Sequence, residues 1–403
     1  MVFNKRKISN YLMVLLLIFI SGNLAFSSKI ILFGSFIISG LFFFYRGCNL
    51  DKSFLYLLTT LLTILLLQSI KFNFFPYITY FGLFIRILTA YFIVKGVGDS
   101  FVSIFISIMR VLAIISLIFL LLILIIPGLD EFLIQNLSVV SISGPFVVER
   151  HNILGVYTII PMEPFKNAGP FWEMGAFGGY LILALMFSLI KNNQLLSKEN
   201  LILIVAILTT QSTTAYIAFF VLLALFYYQN IKNIIFKLLL LVTISISAYY
   251  AYINFDFLGK KIENQLKSAK KIRVLTGKED SQRFINILKD WHDFKGHEII
   301  GRGPHSQTRY SIQAEHQIRT VGSTDMIVRF GLPFFILLLY IIYKSIRSYI
   351  LYCDIDNIVL ENGLIVIILI LLMSETYFLF PFFWTLLMLK HIYTKEEELC
   401  IKN

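Results

Sequence analysis

The sequence predicts an all-α polytopic membrane protein with about twelve transmembrane helices and two large outward-facing loops. Three observations predict this. First, the 403-residue chain is 58% hydrophobic and only 15% charged, with a mean hydropathy of +0.78. A soluble domain carries about 45–50% apolar and about 25% charged residues. Second, the apolar excess is gathered into runs such as "YLMVLLLIFI" and "VLAIISLIFLLLILIIPG", and about 18 consecutive apolar residues read as a bilayer-spanning helix. Third, basic residues recur in alternate short connections, the signature of a chain threaded back and forth through a membrane.

In chain order, spans are expected at about 8–25, 30–45, 54–70, 77–95, 101–126, 173–190, 201–212, 213–229, 236–253, 325–343, 358–374 and 380–393. The first run lacks a small-residue cleavage site and further spans follow it, so it reads as a retained helix and not a signal peptide. The stretch "LILIVAILTTQSTTAYIAFFVLLALFYY" is long for one span and short for two. Its polar centre predicts two short helices meeting near the outer face. "NKRK" (Asn4–Lys7), Lys95, Lys191, Lys198, Lys232, Lys237, Lys344 and Arg347 mark one side as cytoplasmic and put both termini there. The net charge of +11 follows in part from these retained residues, and no nucleic-acid partner is expected. Cys48, Cys353 and Cys400 fall on the cytoplasmic side, show no metal-ligand spacing and are expected to be reduced.

The whole chain, 1–403, reads as a single integral membrane domain with two long connections, 128–171 and 254–324, facing outward. Long connections are where functional residues concentrate. The second contains "FLGKKIENQLKSAKKI" and "DSQRFINILKDWHDF", each with helical spacing of apolar residues and a polar, basic face. Five of the six histidines lie in these loops: His151, His292, His297, His305 and His316. Polar residues belong in polar loops, but imidazole also titrates near neutral pH.

Several charges lie at membrane depth. Arg86 is mid-span in "YITYFGLFIRILTAYFIVK", Arg110 is nearer the inner end of the fifth span, Asp325 and Arg329 open the tenth, and Glu375 ends the eleventh. A charge near the bilayer centre costs at least about 2.5–3.5 kcal/mol on insertion scales, so it faces a partner or a cavity. Arg110 is close enough to the surface to snorkel, and Asp325 and Arg329, four apart, are placed to pair along one helix. Arginine also binds phosphate bidentately and stays charged at any working pH.

Two stretches carry the strongest pattern. "KNAGPFWEMG" (Lys166–Gly175) leads from a loop into an apolar helix. "SQRFINILKDWHDFKGHEIIGRGPHS" is followed by "AEHQIRTVGSTDMIVRFGL". Together they resemble the O-antigen polymerase and ligase superfamily of integral membrane glycosyltransferases. The matching residues are Ser281 and Arg283, Trp291, Gly301 and Gly303, His316, and Gly331 with Leu332. The "FWEMG" stretch is similar to the Wzy-type polymerase branch, whose motif has Arg where this chain has Lys166 and Pro where it has Met174. His316 is followed by Gln317, where the family has Asn.

The resemblance implies a GT-C-like, all-α fold with two large periplasmic loops in a bacterial inner membrane. It implies transfer of a growing glycan from undecaprenyl diphosphate onto the terminal sugar of another lipid-linked repeat unit, with no cofactor, metal or nucleotide sugar. It leaves open whether a chain-length regulator protein takes part. Cleaving a sugar–phosphate bond develops negative charge on the diphosphate, which positioned cations stabilise. The candidates are Arg86, Arg283 and Arg329, with Arg302 and Lys166 behind them. The acceptor hydroxyl needs a general base, and Glu173 and His316 are the candidates. Phe171, Trp172 and Trp291 are candidates to stack on sugars, with His305 beside the "GRGP" turn. Blander roles compete: Glu173 also suits a helix N-terminus, Arg283 a solvated helix face, and the "GRG" triplet an ordinary turn. Two other activities remain open, a ligase that moves the glycan to lipid A-core and a flippase for the lipid-linked oligosaccharide. The concentration of polar residues in two outer loops favours outward-face chemistry over transport.

Overall fold

A computed structural model describes residues 5–144, 147–231, 233, 235, 283–311 and 319–393. It is dominated by helices. The N-terminal part comprises α1 (Lys5–Gly22), α2 (Lys29–Tyr45), α3 (Lys52–Phe72), α4 (Tyr77–Val97) and α5 (Phe101–Ile125). Then come α6 (Leu129–Leu137), strands β1 (Ser138–Gly144), β2 (Val147–Ile153) and β3 (Tyr157–Ile159), α7 (Met174–Asn192), α8 (Lys198–Thr210) and α9 (Thr213–Asn230). The C-terminal part holds α10 (Arg283–Phe294), α11 (Ser306–Arg309), α12 (Gly322–Phe330), α13 (Leu332–Tyr352), α14 (Ile358–Leu372) and α15 (Pro381–Trp384).

Among the described residues, five stretches are long and apolar enough to cross a membrane: Lys52–Phe72, Tyr77–Ile125, Met174–Asn192, Thr213–Asn230 and Leu332–Tyr352. The second contains both α4 and α5, separated by a 3-10 turn at Gly98–Ser100. Lys29–Tyr45 and Ile358–Leu372 are apolar but shorter. The stretch expected to span at 236–253 and the helix expected at "FLGKKIENQLKSAKKI" lie outside the described residues. Large apolar side chains such as Ile30, Phe44, Tyr56 and Ile70 are exposed, as side chains that face lipid must be.

One expected break is present and two expected spans differ in form. The "TTQSTT" stretch does break, as α8 and α9, with Gln211 in the left-handed region (φ 49°) and the Ser212 hydroxyl capping α9. The tenth span begins later than expected, because Gly331 (φ 84°) separates α12 from α13. A Cβ there would overlap the carbonyl of Ile299, so only glycine permits this reversal. The last expected span, 380–393, is a string of short helical turns, Pro381–Trp384, Thr385–Leu387 and Leu389–His391, deep in the core.

Helix α7 is the axis of the bundle. From Ala176 to Ile190 every residue is buried, and its glycines explain how. A Cβ at Gly179 would overlap the Tyr377 hydroxyl, which donates to the carbonyl of Gly175 at 3.1 Å. The glycine-rich start of α7 thus admits the irregular Ser374–Phe380 segment to the centre of the molecule.

Both long connections sit at one end of the bundle. The first folds as α6 and a three-stranded antiparallel sheet in order β1-β2-β3, which the sequence reading did not anticipate. It is tied to the end of α1: Asn23 Nδ2 donates to Gly155 O at 2.6 Å, and Trp172 N to Gly22 O at 3.0 Å. The second is tied to the end of α3, where Gln68 Nε2 donates to the carbonyls of Ile300 and, at 2.7 Å, Arg329. The opposite end gathers the start of α1 with Arg46 (Nη2 to Asn10 Oδ1, 2.6 Å), the Asp51–Lys95 ion pair (2.9 Å) and Lys191, which donates to Ser103 Oγ at 2.8 Å.

Candidate functional site

Glu173 stands at the N-cap of α7 in an extended conformation, and its side chain does not cap the helix. Its Oε2 instead accepts from Arg150 Nη2 at 3.3 Å. Arg150 comes from β2, so the hairpin of the first connection delivers a cation to the mouth of α7. Next to Glu173, Trp172 is half-buried and stacks on Phe380 (centroids 4.6 Å apart, 27° between planes). Phe171 takes a different role from the one expected. It is 1% exposed, over Gly22 and against Tyr180, so it is core and no sugar can reach it. Lys166 is paired with Glu163.

Glu375 approaches from the other side. Its Oε1 is 3.2 Å, and Glu173 Oε1 is 3.1 Å, from the position a Cβ on Gly175 would occupy. The two carboxylates therefore reach into one small space over the first turn of α7.

The second connection places α12 beside this space. A Cβ at Gly322, the first residue of α12, would overlap the carbonyl oxygen of Glu375. Seven residues on, Arg329 lies about 10 Å further along the axis at roughly 1.5 Å per residue. Arg329 is held by Asp325 Oδ2 (Nε, 2.6 Å) and Pro304 O (Nη1, 3.0 Å), the pairing that the four-residue spacing suggested. Arg86, on α4, is within electrostatic reach of Arg329. Among the described residues Arg86 makes no hydrogen bond or ion pair.

The Gly301–Gly303 turn finishes α12. Arg302 N donates to Val328 O at 2.7 Å and Gly303 N to Arg329 O at 3.0 Å, satisfying carbonyls that a helix end otherwise leaves unpaired. The Arg302 guanidinium donates to Thr308 O (2.8 Å) and lies 5.8 Å from the Phe72 ring centroid. Burial pushes its pKa down. His305 caps the short α11 through Nδ1, which accepts from Gln307 N at 3.3 Å, with its ring beside Phe74. Trp291 is 59% exposed, with its ring near Phe294. His151 bridges Ser141 Oγ and Glu149 Oε1, each at 2.9 Å, on the hairpin. Arg283 begins α10, but nothing is described of its side chain, and Ser281 and His316 lie outside the described residues.

Sequence reasoning missed the support beneath Arg329. Arg309 is fully buried and donates to three aspartates: Asp290 (Nη2, 2.6 Å), Asp293 (Nη1, 3.3 Å) and Asp325 (Nε, 2.9 Å). Arg319 reaches Asp290 (3.1 Å) and Asp293 (3.2 Å), and Thr324 Oγ1 donates to Asp290 Oδ2 at 2.5 Å. The polar face expected on the "DSQRFINILKDWHDF" helix is thus turned inward around an arginine. Burial pushes the Asp293 carboxyl up, but the Ser311 hydroxyl and backbone N–H and the charges of Arg309 and Arg319 outweigh it and hold the group below the usual aspartate range. For Asp290 burial prevails and the carboxyl is pushed up. The signal available in the sequence was an arginine between a helix with two aspartates and a helix with one, but their spacings follow no motif.

The end of the bundle offers two carboxylates, a stacked aromatic pair, Arg329 on α12 and Arg86 of α4 within its electrostatic reach. Such a set binds an anion at one end and hydroxyl-bearing groups at the other. Among the described residues no group of three or more His, Cys, Asp or Glu side chains is placed to hold a metal ion. Compared with known proteins, the chain matches no family model, and no curated protein matches it significantly.

Proposed function

We propose that this protein is an integral membrane glycosyltransferase of the surface-polysaccharide polymerase type. It transfers a growing glycan from undecaprenyl diphosphate onto the terminal sugar of another lipid-linked repeat unit. The observation that carries the reading is Arg86, a cation on a membrane helix with no partner among the described residues, beside a second arginine. A cation on a membrane helix, without a partner among the described residues, calls for an anion, and a lipid diphosphate brings one at headgroup depth. Glu173, about one helix length of α12 away, lies where the sugar of such a donor would extend, beside the Trp172–Phe380 stack. Arg86 and Arg329 stabilise the departing diphosphate, while Arg302 holds the end of α12.

In this reading the long connections face the periplasm of a bacterial inner membrane and both termini are cytoplasmic, in line with Lys5–Lys7, Lys95 and Lys191 at the opposite end. A ligase that uses the same donor and lipid A-core as acceptor is the second reading. It would share the arginine pair, while the "FWEMG" motif at the mouth of α7 favours the polymerase.

The test is a gene deletion with the cell's lipopolysaccharide resolved on a gel. Collapse of the ladder to core plus one repeat unit, with rescue by wild type and failure of a normally expressed Glu173→Gln, supports the polymerase. Loss of all O-antigen from core with polymer retained on lipid carrier identifies the ligase. An unchanged ladder, or repeat units stranded on the cytoplasmic face, sinks both.

A further inference from the structure

The last turn of α3 and the turn that follows α10 meet in a cluster of cations. Lys71 Nζ donates to Gly296 O at 3.3 Å, and Gln68 Nε2 donates to the carbonyl of Ile300. These contacts gather three groups around one aromatic ring. From the Phe72 centroid, Lys71 Nζ lies 5.8 Å away, the Arg302 guanidinium carbon 5.8 Å and the His297 ring centroid 5.4 Å. An aromatic face attracts a cation, but it carries no net charge to balance one.

No carboxylate balances them either. Among the described residues Lys71 and Arg302 form no ion pair, and the only hydrogen bond of the Arg302 guanidinium is the one from Nε to Thr308 O. Both terminal guanidinium nitrogens are therefore left as donors. The nearby Glu298 accepts from Gly296 N at 2.8 Å and forms no ion pair with Lys71 or His297. Asp293 is committed to Arg309, Arg319 and Ser311. His297 Nδ1 is buried with no hydrogen-bond partner, and native structures seldom leave such an atom unpaired. Burial pushes the pKa of His297 down, and the charges of Lys71 and Arg302 push it further, against the weaker pull of Glu298 and Asp293. Arg86 has a different cationic neighbour, Arg329, so this cluster is a second centre of positive potential.

Exposed apolar side chains accompany the cluster. Ile70, next to Lys71, is 78% exposed, and Ile299, in the turn that Lys71 touches, is 74% exposed. Ile70 belongs to a helix long and apolar enough to cross a membrane. Ile299 stands in a polar connection, where an isoleucine in water would be unfavourable. Cations set among exposed apolar side chains match the bilayer interface, where phosphates lie over acyl chains. We propose that Lys71, His297 and Arg302 bind the phosphate of an anionic phospholipid at this end of the bundle, with Ile70 and Ile299 against its acyl chains. Arginine supplies a fork for two phosphate oxygens and lysine a point charge. A phosphate here offsets the charges that Lys71 and Arg302 exert on the imidazole. The pKa of His297 therefore rises on binding, and affinity increases as pH falls. The site does not depend on the glycosyltransferase reading. It requires only that the apolar helices lie in a membrane.

The test is native mass spectrometry of the full-length protein released from nanodiscs of phosphatidylglycerol and phosphatidylcholine in equal parts. Wild type is expected to retain phosphatidylglycerol in preference to phosphatidylcholine. Lys71→Gln and Arg302→Gln should each weaken that retention about fivefold, the effect of one basic residue at an anionic membrane surface, while Lys71→Arg keeps it. NMR of the histidine rings gives a second readout: the pKa of His297 should be higher in phosphatidylglycerol nanodiscs than in phosphatidylcholine. Lys71 is exposed, so Lys71→Gln tests the site even if Arg302→Gln fails to fold. Wild type without a lipid preference, or a folded Lys71→Gln with wild-type retention, overturns the proposal. Retention lost in Arg86→Ala and kept in Lys71→Gln puts the lipid at the other centre and overturns it as well. The same His297 shift with inorganic phosphate in phosphatidylcholine nanodiscs identifies a site for a free anion and overturns the lipid assignment.

Discussion

Replacing Arg309 by methionine should loosen the second connection without unfolding the bundle. Arg309 is 0% exposed, and its three guanidinium nitrogens each bond to a different aspartate, two on α10 and one on α12. With Arg319 and Arg329 it balances Asp290, Asp293 and Asp325, three charges against three. Methionine fills much of the volume but leaves three buried aspartates facing two arginines. Removing one partner of a buried ion pair costs about 3–5 kcal/mol, because the other charge is left uncompensated. At 1.4 kcal/mol per tenfold, local opening should become about 10²–10³-fold more frequent. Hydrogen exchange of the protein in nanodiscs, read by mass spectrometry, measures this directly. Peptides from residues 283–311 and 322–330 should lose protection by that factor, while α7 keeps its own. Adding Asp290→Asn and Asp293→Asn to Arg309→Met removes the excess negative charge and should restore part of the loss. Protection in 283–311 unchanged by Arg309→Met would show that the network does not hold α10 to α12.

Two further expectations follow from the same geometry. Gly179→Ala inserts a methyl where the Tyr377 hydroxyl lies and should destabilise the protein by about 1–3 kcal/mol. Tyr377→Phe, which removes the clashing oxygen, should recover part of that in the double variant, and equal melting of wild type and Gly179→Ala would refute the close approach. The second concerns acid. The folded-state pKa of Asp293 lies below its ordinary value, so its stabilising contribution is fully present above about pH 4 and is lost as pH falls through the lower folded value. Asp290, pushed up, has the opposite sign and takes its proton first. Protection of 283–311 in wild type should therefore decline below about pH 4, and Asp293→Asn should remove part of that acid dependence.

Much of the helical framework was legible because a bilayer imposes one demand, an apolar run long enough to satisfy its own backbone. The "TTQSTT" break was readable because polar residues in mid-run signal the end of a helix, and the Asp325–Arg329 pair because spacing of four places both on one face. The β1–β3 sheet was not anticipated, although "SVVSISG" and "VVERHNI" are rich in β-branched residues. Short strands in a loop leave a weaker pattern than a spanning helix. The division of α12 from α13 rests on Gly331, and the sequence marks it only by that glycine and by Pro333 in the first turn of α13. In the site, Glu173 and Arg86 could be singled out because a charge beside an apolar run is costly. Their neighbours could not. Arg150 meets Glu173 across 23 residues, Glu375 meets Gly175 across the length of the C-terminal half, and Arg309 finds aspartates on either side of it. Such meetings are decided by packing around α7 and not by local pattern.

Titration of undecaprenyl diphosphate into the nanodisc-held protein decides whether Arg86 receives a lipid diphosphate, as proposed. Wild type should bind saturably, and Arg86→Ala, folded to the same melting temperature, should bind about 10–100-fold more weakly, the loss of one charged hydrogen-bonding partner at about 1.5–3 kcal/mol. Equal affinity of the two proteins, or no binding by wild type, would rule out a diphosphate site at Arg86.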